Sequence, residues 1–163
     1  MSAHTAFSAS EIVDIARQVE RCGEAFYEHA ARKVKNPRVA ALFRHLQGEE
    51  VAHAGVFEKL LSRLALGPAE WRKDDDYVGY MRALADKRVF PNPDAAAEAV
   101  AALRDERAAI DLALRFEKDT ILFLQGLRRM VQPEDASTLD DMVAEEETHV
   151  ARLQAMAKDL APR

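Results

Sequence analysis

The chain has 163 residues, 48% of them hydrophobic and 31% charged, with a formal net charge of -5. That composition fits one globular domain with a substantial core, and its scattered basic residues form no footprint for nucleic acid. The single cysteine, Cys22, excludes an internal disulfide and a Cys-x-x-Cys metal knuckle, and no run approaches the ~20 apolar residues of a membrane span.

Residues 1–10 lack the basic stretch and apolar segment of a secretory signal, so a cytoplasmic protein is expected. Ser8 with Glu11 fits a capping box that opens a first helix over roughly 10–35. Asn36-Pro37 reads as an N-cap with proline at the first helical position, opening a second helix over 37–65 that Gly67-Pro68 ends. Residues 66–93 form a long connection, with Trp71 packing in it, a solvated acidic run Asp74-Asp75-Asp76 and a short helix near 77–88. Pro91-Asn92-Pro93 closes the connection, and another short helix, 94–103, leads into a third long helix at 105–131. Pro133 opens a fourth at 133–160. Apolar residues recur every three or four positions throughout, and strand signals are nearly absent. The expected fold is all-α: four long helices, paired by short links into two hairpins, with one long crossover between helices two and three. Helix three then runs parallel to helix two.

The two halves resemble each other. Helix one contains Glu20-Arg-Cys-Gly-Glu-Ala-Phe26, and helix three contains Glu117-Lys-Asp-Thr-Ile-Leu-Phe123. Helix two contains Glu49-Glu50-Val-Ala-His53, and helix four contains Glu145-Glu146-Glu-Thr-His149. Each charged residue falls on its helix's apolar stripe: Glu20 between Ala16 and Gly23, and Glu50 and His53 between Leu46 and Phe57 in a stripe running to Leu64. Glu117 lies among Ile110, Ala113, Leu114, Ile121 and Leu124, and Glu146 and His149 lie between Met142 and Leu153.

Six ionisable groups pointing at one core would repel and would be costly to desolvate. No lysine or arginine lies at matching depth, which leaves divalent metal ions as the compensating charge. In a Glu-x-x-His pair the two side chains leave one helix face about one turn apart, suited to a bridging carboxylate and a terminal imidazole. Four carboxylates with two imidazoles suit iron or manganese, with zinc a further occupant. One such motif alone would carry little weight, since helix surfaces contain many. Two in repeat positions, with two more buried glutamates, carry much more. An i,i+4 pair, from Glu49 or Glu145, can also reach one ion, but Glu50 and Glu146 sit deeper in their stripes.

These residues resemble the rubrerythrin branch of the ferritin-like superfamily, most closely through Glu20, Gly23, Phe26 and Tyr27 and through Glu117-Lys118-Asp119 with Phe123. The ligand set is the general one of di-iron carboxylate bundles. The resemblance implies a ferritin-like four-helix bundle with two iron ions that react with hydrogen peroxide or dioxygen. Glu50 and Glu146 would bridge, Glu20 and Glu117 would be terminal carboxylates, and His53 and His149 terminal imidazoles. Tyr27 would hydrogen-bond a ligand carboxylate or serve as a core tyrosine. Rubrerythrins commonly append a rubredoxin-like domain with four cysteines. None lies in these 163 residues, so the electron donor is expected to be a separate protein such as a rubredoxin. Where the family carries a second carboxylate on helix three, this chain has Thr120, which puts the family's redox-linked ligand exchange in doubt. The six-residue set also resembles bacterioferritin. A homodimer is the expected assembly, with neither nucleic acid nor membrane as partner. The competing expectations are a metal-binding or iron-storage bundle without turnover, and a structural bundle stabilised by metal. His4, His29 and His45 are expected at the surface, and Cys22 as a packing residue.

Overall fold

The computed structural model describes residues 9–64 and 73–160. Among them are six helices and no strand: α1 (Ala9–Lys33), α2 (Pro37–Leu64), α3 (Asp75–Asp86), α4 (Pro93–Ala101), α5 (Glu106–Leu127) and α6 (Pro133–Asp159). Ser8 of the expected capping box, the Gly67-Pro68 stop, His4, Trp71 and the side chain of Leu64 lie outside the described residues.

Helix ends follow local chemistry. Asn36 Oδ1 accepts from the Arg38 amide at 2.9 Å, so α2 starts where the Asn-Pro signal places it. The same cap ends α1 at Lys33, short of the expected residue 35. The Lys35 and Asn36 amides donate instead to Glu106 Oε1, at 2.8 and 3.2 Å. Asn92 and Asp105 cap α4 and α5 in the same way.

The acidic run faces solvent as expected, but it opens a helix rather than forming a loop. Asp74 is the N-cap of α3, accepting from the Tyr77 amide at 2.9 Å, and it also pairs with Arg129 of the segment after α5 at 2.9 Å. Asp75 and Asp76 occupy the first turn, where the helix dipole favours negative charge.

Ion pairs establish the topology. Arg38 at the start of α2 meets Asp159 at the end of α6 at 2.5 Å, and Arg63 at the end of α2 bonds Asp135 near the start of α6. These two helices are therefore antiparallel. The short link from α5 to α6, tied by Arg128 to Asp140 at 2.7 Å, makes α5 antiparallel to α6 and so parallel to α2. The result is the ferritin-like four-helix bundle with one crossover. Within it α1 packs mainly against α2, and α5 against α6; α4 lies on α1 and α3 on α5. Close approach of α3 requires Gly126, where a Cβ would collide with the Met81 sulfur.

An aromatic cluster fills the bundle interior. Phe26 packs edge-on against Tyr27 with centroids 5.1 Å apart and stacks on Phe90 at 5.4 Å, and Phe90 reaches Phe116 at 5.5 Å. On α5 Ile110, Ala113 and Leu124 of the expected stripe are buried and Phe116 and Phe123 join them, while Leu114 and Ile121 are half-buried. No helix among the described residues is long and apolar enough to cross a membrane.

Candidate metal centre

One residue or pair from each of four helices meets at mid-bundle. α1 contributes Glu20, α2 Glu50 and His53, α5 Glu117, and α6 Glu146 and His149. All six are at most 3% exposed. Their donor atoms form two groups, Glu20–Glu50–His53–Glu146 and Glu50–Glu117–Glu146–His149, and within each group the atoms lie within 4.8 Å of one another. Glu50 and Glu146 belong to both groups. The two imidazole rings lie nearly parallel, 15° apart with centroids 5.7 Å apart.

Hydrogen bonding leaves this cluster incomplete. Ten buried side-chain oxygen and nitrogen atoms among the described residues lack a hydrogen-bond partner, and all ten belong to these six residues. They include both oxygens of Glu20, Glu50 and Glu146, one oxygen of Glu117, and the Nδ1 atoms of both histidines. Each Nδ1 approaches Glu146, at 2.9 Å from His53 and 2.8 Å from His149. Orphaned donors and acceptors at this density are rare in a folded interior. Two cations set among the carboxylates would satisfy them, so the residues fit a di-metal site.

Electrostatics agree. Burial, then the charge of Glu146 and Glu117, holds Glu50 well above the ordinary carboxylate range, and burial likewise raises Glu20 and Glu117. Glu146 is the exception: burial pushes it up, but the close imidazoles of His149 and His53 prevail and lower it. Burial opposes protonation of both histidines, yet their carboxylate neighbours raise them. A cation bound there would have to displace protons.

The surrounding residues shape the cluster. Gly23 on α1 leaves room for Glu50: a Cβ there would lie 2.7 Å from Glu50 Oε2 and 3.0 Å from Phe116 Cε1. Tyr27, wholly buried, donates its hydroxyl proton to Glu117 Oε1. Thr120 is buried one turn beyond Glu117, but its hydroxyl donates back to the Phe116 carbonyl at 3.1 Å.

Adjacent glutamates face opposite ways. Glu50 and Glu146 turn inward, while Glu49 and Glu145 turn outward and cross to the opposite helix's histidine. Glu145 Oε2 lies 2.6 Å from His53 Nε2, a hydrogen bond, and Glu49 Oε2 lies 2.9 Å from His149 Nε2, at ion-pair distance. The doubled glutamate in both motifs was the sequence signal for these outer partners, though spacing alone does not reveal that each serves the other motif. His45, exposed as expected, joins this shell through Arg152, whose Nη1 is 2.5 Å from His45 Nε2. His29 is exposed. Cys22 is fully buried against the Phe90 carbonyl, a packing residue.

The family model for Rubrerythrin matches residues 11–157. Among solved structures, one described as a ferritin-like diiron-carboxylate protein from Thermotoga maritima is similar over 97% of this chain and 99% of that one. The TM-score is 0.72 and the sequence identity 24%. A comparison with curated proteins gave no match.

Proposed function

The chain belongs to the rubrerythrin family, and from that premise we propose that its six buried carboxylate and imidazole groups hold two iron ions used to reduce hydrogen peroxide or dioxygen. The observation that carries this reading is the pair of donor groups sharing Glu50 and Glu146, together with the confinement of orphaned buried polar atoms to the same six residues. Glu50 and Glu146 would bridge the ions, Glu20 and His53 would complete one position, and Glu117 and His149 the other. Iron(II) suits this mixed oxygen and nitrogen donor set, as would manganese.

The chemistry such a pair supplies when bound is a two-electron reduction, in which hydrogen peroxide and two protons yield two waters as two iron(II) become iron(III). The chain's own residues supply the setting. Phe116 lies with Glu50 against Gly23 and packs on Phe90, which stacks on Phe26, so this side of the centre is apolar and buried. Tyr27 holds a proton on the Glu117 oxygen it faces, fixing that carboxylate's orientation. Glu145 hydrogen-bonds His53 Nε2, which leaves Nδ1 directed at the site. Return of the two electrons would fall to a donor outside these 163 residues, a separate protein in our reading, since their single cysteine provides no four-cysteine iron site.

Anaerobic loading with iron(II), followed by stopped-flow mixing with hydrogen peroxide or with air, tests the proposal. Two iron(II) per chain, oxidised rapidly by either oxidant, is the expected result. Uptake of many more than two ions per chain would assign a storage role. Two tightly held ions inert to both oxidants would overturn the oxidoreductase reading and leave a structural metal site.

A further inference from the structure

The internal repeat makes the two halves of the centre directly comparable, because Glu49, Glu50 and His53 correspond to Glu145, Glu146 and His149 at a constant offset. The inner six residues obey that symmetry, but their surroundings do not. Arg152, three residues after His149, corresponds to Val56, three after His53. His45, four residues before Glu49, corresponds to Asp141, four before Glu145. One outer carboxylate therefore stands beside a cation and the other does not.

The contacts bear this out. Glu49 Oε2 accepts from Arg152 Nη1 at 3.2 Å and lies 2.9 Å from His149 Nε2, a nitrogen without a hydrogen-bond partner. An arginine can only donate, so the 2.5 Å contact between Arg152 Nη1 and His45 Nε2 makes that imidazole the acceptor and holds the guanidinium in place. Glu145 Oε2, by contrast, has His53 Nε2 as its partner at 2.6 Å, and no arginine or lysine pairs with it among the described residues. The inner ligands differ in the same sense. Glu117 accepts the Tyr27 hydroxyl, whereas neither Glu20 oxygen has a hydrogen-bond partner.

A carboxylate accepting the outer N–H of a ligating imidazole increases that imidazole's donation to the metal. Glu145 does so for His53, whereas Glu49, bonded to Arg152, makes no hydrogen bond with His149 Nε2, and a phenol on a ligand carboxylate withdraws charge from the ligand itself. Both differences weaken donation on the Glu117–His149 side. Resting on the di-metal reading above, we propose that the two metal positions are inequivalent. The Glu20–His53 position takes the first ion more tightly, and Arg152, acting through Glu49, is the positioning residue that weakens the other. The internal repeat thus builds a symmetric ligand set and an asymmetric pair of affinities.

Cobalt(II) titration of the full chain, followed by its visible absorption, reads the two steps. Paramagnetically shifted imidazole proton signals at one equivalent identify the histidine engaged first. The expected result is two resolved steps with His53 engaged first. Arg152→Gln should tighten the weaker step by about tenfold and leave the tighter one unchanged, while Arg152→Lys, which keeps the charge, should restore the parent pattern. Val56→Arg places a cation at the equivalent, exposed position beside Glu145, and should loosen the tighter step by a similar factor. Two cobalt ions bound with equal affinity, His149 engaged first, or steps unmoved by Arg152→Gln and Val56→Arg would overturn the inference while leaving the di-metal site intact. Failure of the parent protein to bind two ions would instead sink the di-metal reading.

Discussion

Gly23 shows how one missing methyl group serves the centre. In mid-helix a glycine costs about 1 kcal/mol relative to alanine, so a packing reason for it is expected. Glu50 Oε2 and Phe116 occupy the space a Cβ would need. Gly23→Ala should therefore have opposed effects: a gain of about 1 kcal/mol in helix propensity, offset by an overpacking cost of about 1–3 kcal/mol. The metal-free protein should melt within a few degrees of the parent. Metal affinity has no such compensation, because Glu50 takes part in both donor groups. We expect both binding steps to weaken, by about tenfold or more. Metal titration and melting of the metal-free variant, run together, separate the two effects. Unchanged affinity for both ions would show that Glu50 does not need the space.

At the scale of elements, α3 is held to the bundle by few residues. Tyr77, Met81 and Ala85 form its buried face, and Met81 seats against Gly126 of α5. The Tyr77 hydroxyl donates to the Gly126 carbonyl, and Arg129 stacks on the Tyr77 ring at 4.0 Å. Met81 is fully buried, so Met81→Ala should remove about 2 kcal/mol, the low end for such a truncation because the element is peripheral. The loss should localise: amide hydrogen exchange should accelerate in α3 while α1 and α2 keep their protection. Equal acceleration in all helices would show instead that α3 is integral to global folding.

For the whole molecule, the metal-free centre dictates an unusual pH dependence. Burial raises Glu20 to about 8 and Glu117 to about 7, from an ordinary 4.5. The folded chain therefore keeps protons that the unfolded chain loses, and stability falls as pH rises from about 4.5 to 8. His53, raised to about 9, and His149, raised to about 10 by Glu117 and Glu146 against the effect of burial, extend the decline upward from 6.5. Glu146 acts oppositely: the close imidazoles of His149 and His53 overcome burial and lower it to about 2, so its contribution is lost between 4.5 and 2. The metal-free protein should be most stable near pH 5 and melt at a lower temperature by pH 8. Bound metal should reverse this, since binding releases protons and strengthens with pH. Melts at several pH values, with chelator and with saturating metal, should show the gap widening from pH 5 to 8. A metal-free maximum at alkaline pH would refute the account.

The sequence by itself determined the elements and the six residues that meet at mid-bundle. Helix signals such as Asn36-Pro37 and Pro133 are local, and each acts through the backbone of its own turn. Charged residues on apolar stripes, repeated in two halves, are visible because burial of Glu20, Glu50, Glu117 and Glu146 makes no sense without a shared counter-charge. Tertiary structure decided the rest, because the deciding contacts join residues that no periodicity relates. It turned Glu49 and Glu145 outward onto the opposite helix's histidine, converted Asp74 from loop to cap, and spent the Thr120 hydroxyl on a backbone carbonyl. It also brought Arg152 beside Glu49, 103 positions away in the chain. An acidic residue reads alike in sequence whether it faces water, an amide or an imidazole; only the neighbours supplied by folding distinguish them.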